Sequence, residues 1–204
     1  MSQAQQTGTL IIGKDDLVAQ LSALGVGRGD GVFVHTALGQ IGHVIGGPRG
    51  LIEALIEVVG DRGLIGMPGF SHDAYDPAKL IDTDLSEEEQ LHVRSQVPGF
   101  DPERSDARQN GAVPEAFRSW PGVVRSNHPT SSVLLLGPDA AELASDHDPL
   151  DWATGPETPW GRLRERPAMK ILLIGVGWDR CSALHAAESV ATHRRTILRD
   201  IRHG

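Results

Sequence analysis

Two short β-branched runs flanking one amphipathic helix confine this chain to a narrow set of folds. Val32-Phe33-Val34 is too apolar for a loop and too short for a helix, and Leu64-Ile65-Gly66-Met67 repeats the pattern. Between them Pro48 sits at the first turn of a helix running through Leu51, Leu55, Ile56 and Val59, which stops at Gly60. Strand, helix and strand in so short a span make a βαβ unit, whose strands run parallel. A third run, Ile171 to Ile174, reads as a strand buried on both faces, with a helix expected after it. At 204 residues and 39% hydrophobic, the chain suits a single domain with a full core. The pattern predicts an α/β fold, a three-layer α/β/α sandwich with a mainly parallel sheet.

The remaining segments fit around that frame. Leu17, Val18, Leu21 and Leu24 recur at helical spacing over 14–24, and residues 1–9 read as a disordered leader. From 74 to 106 the regularity lapses into a long acidic excursion with one helix over 86–93, where Ser86 and Glu89 form a capping box. A helix over 110–118, a strand over 133–136 and short helices over 140–145 and 160–166 follow, and a basic tail closes the sequence from Arg194.

A formal charge of −8 argues against a nucleic-acid binder and suits a cationic small molecule. The sequence contains no apolar run long enough to span a membrane and no signal-peptide layout, and Cys181 is its one cysteine. These features predict a cytoplasmic protein, monomer or homodimer, without membrane or nucleic-acid partners.

Chemistry concentrates in Gly175-Val176-Gly177-Trp178-Asp179-Arg180-Cys181-Ser182-Ala183-Leu184-His185-Ala186-Ala187-Glu188. With Asp179 or Ser182 as cap, a helix here places Cys181, His185 and Glu188 on one face, at the carboxyl end of the preceding strand where open α/β sheets bind ligands. His35 ends the first strand, and is either a ligand-facing group or a hydrogen-bonded histidine capping a loop. His128 precedes Pro129, so its backbone is extended. Cys181 with His185 could form a thiolate pair, although a small buried cysteine is the better reading. Ser71 and Ser131 lack a Gly-x-Ser-x-Gly elbow, which argues against a hydrolase. One His–Glu pair is not a metal site, so no metal is expected.

Several segments, taken in order, resemble the aminoglycoside 3-N-acetyltransferase family. They are Leu24-Gly25-Val26 with Gly29-Asp30, Val34-His35-Thr36-Ala37-Leu38-Gly39, Gly46-Gly47-Pro48, the stretch from Gly60 to Pro68, Phe100-Asp101-Pro102, Phe117 to Val123, Arg125-Ser126-Asn127-His128-Pro129, and Gly175 to Glu188. The resemblance implies transfer of an acetyl group from acetyl-coenzyme A, as cosubstrate, to an amine such as the 3-amino group of a 2-deoxystreptamine antibiotic, and hence antibiotic resistance. It also implies a functional histidine at His185, with Glu188 orienting it, and His35 as the second candidate base.

Where relatives carry a His-Ser-Ser-Leu-like motif, this chain has Thr36 and Ala37, one hydroxyl fewer. Backbone N–H groups of Thr36, Ala37 and Leu38, the helix start at Gly46 and Gly47, and Ser71 and Ser131 are the candidates for holding the coenzyme or its thioester oxygen. Asp73, Asp101 and Asp179 are the candidate carboxylates for a cationic acceptor. Related enzymes run well past their Leu-His-x-x-Glu segment, so the resemblance implies a C-terminally short member. The alternative is an impaired homologue that binds coenzyme or acceptor without turnover.

Overall fold

The structure is a computed structural model that describes residues 10–73, 75–76, 84–149 and 152–192. From the amino end the chain forms β1 (Ile11–Ile12), α1 (Lys14–Ala23), β2 (Gly31–Thr36), β3 (His43–Val44), α2 (Gly47–Val59), β4 (Leu64–Pro68) and α3 (Glu87–Ser95). It continues through α4 (Ala112–Arg118), β5 (Val124–Arg125), β6 (Val133–Leu136), α5 (Ala140–Ala144), α6 (Pro159–Glu165), β7 (Met169–Ile174) and α7 (Leu184–Ser189). The expected leader and the basic tail fall outside the described residues.

The main sheet has the strand order β5-β6-β4-β2-β7, and β1 pairs with β3 in a separate two-stranded sheet. β2 is parallel to β4 and to β7, as the βαβ pattern requires. β6 is antiparallel to both β4 and β5. The sheet is therefore mixed rather than mainly parallel. For β5 and β6 the reason is local: the connection over 126–132 is too short for a crossover, so the chain returns as a hairpin.

Alternation along the strands divides the core into two layers. Val32, Val34, Ile65, Met67, Leu134 and Leu172 pack with α1, α2 and α4, while Phe33, Leu64, Val133 and Leu135 pack with residues of α5, α6 and α7. This is the three-layer arrangement. Gly66 is required by it, because a Cβ there would stand 2.6 Å from the Phe33 ring and 3.1 Å from Leu135. The expectation that the 171–174 run is buried on both faces fails. Among the described residues β7 ends the strand order, beside β2, and Ile171 is 45% exposed while Leu172 faces the core.

β2, β4 and β7 end at one edge of the sheet, so the segments after them gather there. Gly175 lets two of those segments touch, since at φ 70° a Cβ would lie 2.7 Å from the Ala37 carbonyl oxygen. α2 starts at this same edge behind Gly46, whose left-handed backbone at φ 79° turns the chain into the helix.

The capping box of α3 is present as expected: the Glu89 N–H donates to Ser86 Oγ and the Ser86 N–H to the Glu89 carboxylate at 2.8 Å. Among the described residues no helix is long and apolar enough to cross a membrane.

Candidate active site

The segment after β7 is less regular than its sequence suggests. A single 3-10 turn covers Trp178–Arg180, and α7 starts only at Leu184, with Ala183 at its N-cap and no side-chain cap. Neither Asp179 nor Ser182 caps this helix. Cys181 lies before it and is buried, so the expected shared face of Cys181 and His185 does not form. Two glycines and a short polar turn let the backbone leave the helical path that continuous periodicity would favour.

His185 and Glu188 do come together, one turn apart, with His185 Nδ1 at 2.7 Å from Glu188 Oε2. A carboxylate oxygen has no hydrogen to give, so Nδ1 carries a proton, and in the neutral ring Nε2 presents a lone pair. Both side chains are open to solvent, at 57% and 61% exposure, while Ala186 and Ser189 turn into the protein. The Thr154 hydroxyl donates to the His185 carbonyl at 3.2 Å. Asp179 shares this segment as a surface carboxylate, 3.4 Å from the Arg180 guanidinium.

His35 lies at the carboxyl end of β2, opposite Leu173, and is 3% exposed. Burial pushes it down to about 4, which keeps the imidazole neutral. Its Nε2 has no hydrogen-bond partner among the described residues, and neither has the buried Ser182 Oγ. Its ring is 5.3 Å from Phe33, so it occupies the layer that α6 and α7 cover.

Of the three expected backbone donors, the Ala37 N–H is spent on the Ile174 carbonyl at 2.9 Å, and Leu38 opens a 3-10 turn. Ala37 thus serves the sheet rather than an oxyanion. Gly46 and Gly47 occupy the expected helix start.

The other candidates scatter. Ser71 is fully buried: its N–H donates to the Pro129 carbonyl at 3.0 Å and its Oγ accepts the Asp73 N–H at 3.1 Å. The Ser131 carbonyl accepts the Trp160 indole N–H at 2.7 Å. Asp73 borders an open cleft of about 420 Å³ with His72, Tyr75, His92 and Gln96. Asp101 caps its own turn: its carboxylate accepts the Glu103 N–H, which with the Arg104 contacts holds it below the usual range. Among the described residues no group of three His, Cys, Asp or Glu side chains is placed to hold a metal.

Two residues escaped sequence reasoning. Arg125 is a half-buried cation over the Phe100 ring at 4.8 Å, donating to the carbonyls of Gly69, Ser105 and Asp106 and to Ser132 Oγ. Burial pushes it down to about 10. It ties together the segments after β4 and before α4, and its one visible signal was membership of the Arg-Ser-Asn-His-Pro run. His147 is buried against His128, ring centroids 4.7 Å apart, with Ser126 Oγ on Nδ1 and the Ala153 carbonyl on Nε2, both at 2.8 Å. No periodicity marks it.

With this geometry in view, the sequence profile of the aminoglycoside 3-N-acetyltransferase family matches residues 33–202. The chain belongs to this family. It is 41% identical over 175 residues to aminoglycoside N(3)-acetyltransferase IX of Micromonospora chalcea, covering 85% of this chain and 60% of that relative. Among solved structures, AAC-VIa bound to sisomicin aligns at 39% identity with a TM-score of 0.77, over 90% of this chain and 66% of that one. AAC-IIIb in a binary complex with CoASH aligns at 34% identity with a TM-score of 0.77, over 89% and 66%. The chain spans about 60% of the length of the first curated relatives it matches.

Proposed function

We propose that this chain carries an acetyl-coenzyme A-dependent N-acetyltransferase activity toward an amine of the 2-deoxystreptamine aminoglycoside class, with His185 as base. The observation that carries the reading is the His185–Glu188 pair, 2.7 Å apart and open to solvent beside the edge where the parallel strands end, in a member of this family. An amine acceptor arrives as an ammonium and gives one proton to solvent, so that the neutral amine attacks. With Nδ1–H held by Glu188, the Nε2 lone pair takes a proton from the amine as its nitrogen bonds to the thioester carbon. The C–S bond breaks, and the proton on Nε2 passes to the departing sulfur, leaving amide and free thiol.

Three features favour this assignment of roles. His35 is neutral and enclosed, with a free ring nitrogen, so it suits a hydrogen bond to a ligand better than proton exchange with solvent. The Gly46-Gly47 start of α2 offers backbone N–H groups to a coenzyme phosphate. Asp179 and Asp73 are carboxylates available to a polycationic acceptor, while Asp101 is occupied by its own turn. The charge of −8 favours such an acceptor at long range. A cytoplasmic location fits both substrates.

One observation favours an alternative, binding without turnover: the pair is on the surface, and exclusion of water ordinarily strengthens such chemistry. Release of coenzyme thiol from acetyl-coenzyme A, with and without sisomicin, separates the two. Amine-dependent release is expected. Binding of coenzyme A by calorimetry with no release would establish the alternative instead.

A further inference from the structure

We propose that Thr154 is a positioning residue for the His185 imidazole, anchored through a buried Ser126–His147–Ala153 chain; this rests on His185 being the base. The anchor can be followed atom by atom. A carbonyl oxygen only accepts, so His147 Nε2 donates to the Ala153 carbonyl at 2.8 Å, and Nδ1 must accept from the Ser126 hydroxyl at 2.8 Å. Ser126 Oγ in turn accepts the N–H of Val133, the first residue of β6, at 2.9 Å. Both imidazole nitrogens are used, and the sheet is thereby tied to Ala153. Thr154 is the next residue, and its hydroxyl donates to the His185 carbonyl at 3.2 Å.

α7 needs such a tether. It has six residues, no side-chain cap and an irregular segment before it, and its start rests on short backbone turns, the Leu184 N–H to the Cys181 carbonyl and the His185 N–H to the Ser182 carbonyl. The segment that supplies the tether is itself braced. The Gly155 N–H donates to the Trp152 carbonyl, the Thr158 hydroxyl and N–H both donate to the Gly155 carbonyl, and a Cβ on Gly155 would lie 3.0 Å from the Trp152 ring. Thr154 therefore presents its hydroxyl from a fixed turn to a helix with an uncapped start. Displacement of a catalytic group by an ångström can cost about a hundredfold in rate.

The test uses the full chain labelled with ¹⁵N-histidine, with Glu188→Ala as the reference for an unpaired His185. Thr154→Val is expected to move the His185 Nδ1 resonance to the Glu188→Ala position, and Thr154→Ser to restore it. An unmoved resonance in Thr154→Val overturns the proposal whether or not the chain turns over.

In thiol release with sisomicin, Thr154→Val is expected to lower kcat about tenfold with KM unchanged, and to add nothing in a His185→Ala background. A further loss in that background would make Thr154 merely structural and overturn the proposal. Unaltered turnover in His185→Ala alone would instead remove the base assignment, and this inference with it.

Discussion

The molecule holds two histidines with hydrogen bonds of nearly the same length and opposite character. His185 meets Glu188 at 2.7 Å in the open, and His147 meets Ser126 at 2.8 Å in the interior. By distance alone the interior pair has the form of a serine nucleophile and its base. Yet both nitrogens of His147 are occupied, its partner hydroxyl is buried, and burial pushes it down to about 4. His185 keeps one nitrogen free in a place a substrate can reach. What separates a structural pair from a chemical one is therefore the unused lone pair and access to it.

The strongest attempt to break this contrast is His185→Ala. Turnover measured by thiol release should fall by about 10²–10⁴, while denaturant unfolding shifts by no more than about 0.5 kcal/mol. His147→Ala should do the reverse, lowering stability by about 3 kcal/mol because the buried Ser126 hydroxyl loses its acceptor and the Ala153 carbonyl its donor. If His147→Ala instead spared stability and abolished turnover of folded protein, the two histidines would have been assigned the wrong way round.

Acid sharpens the same contrast. His35 and His147 have native values near 4, below the ordinary 6.5, so the unfolded chain takes up protons first as pH falls. Their contribution is intact above about pH 6.5 and is lost progressively down to about pH 4, on the order of 3 kcal/mol for each histidine. Unfolding free energy against pH should show this slope, and His147→Ala should flatten it by about half.

Glu188→Gln tests the orienting carboxylate and should lower kcat about tenfold, since an amide can still accept from Nδ1 but stabilises the imidazolium less. Cys181→Ala should be the smallest change. Turnover stays within about twofold, with about 1 kcal/mol of stability lost from a small buried side chain. A loss of activity comparable to His185→Ala would bring back a covalent acetyl-cysteine route.

Much of the frame was legible in the chain. The β2–α2–β4 unit, the α3 capping box and the His185–Glu188 spacing all follow from short-range rules that act within a few residues. The errors had a common cause. Ile171–Ile174 has the apolar composition of a central strand, but whether a strand has one neighbour or two depends on the order of the whole sheet. Cys181, His185 and Glu188 fitted helical spacing, yet Cys181 ends the turn at Trp178–Arg180 and α7 starts only at Leu184. Arg125 and His147 were invisible because most of their partners, at Gly69, Ser105, Asp106 and Ala153, are backbone carbonyls that any residue could supply.

The sequence by itself determined the α/β class, the parallel core of the sheet and the imidazole–carboxylate pair one helical turn apart, because periodicity and glycine or proline punctuation act locally. Tertiary structure alone decided the antiparallel half of the sheet, the exposure of Ile171 on β7, and which histidine keeps a free nitrogen in reach of solvent. Burial and hydrogen-bond satisfaction are sums over neighbours brought from distant parts of the chain, and no local pattern encodes them.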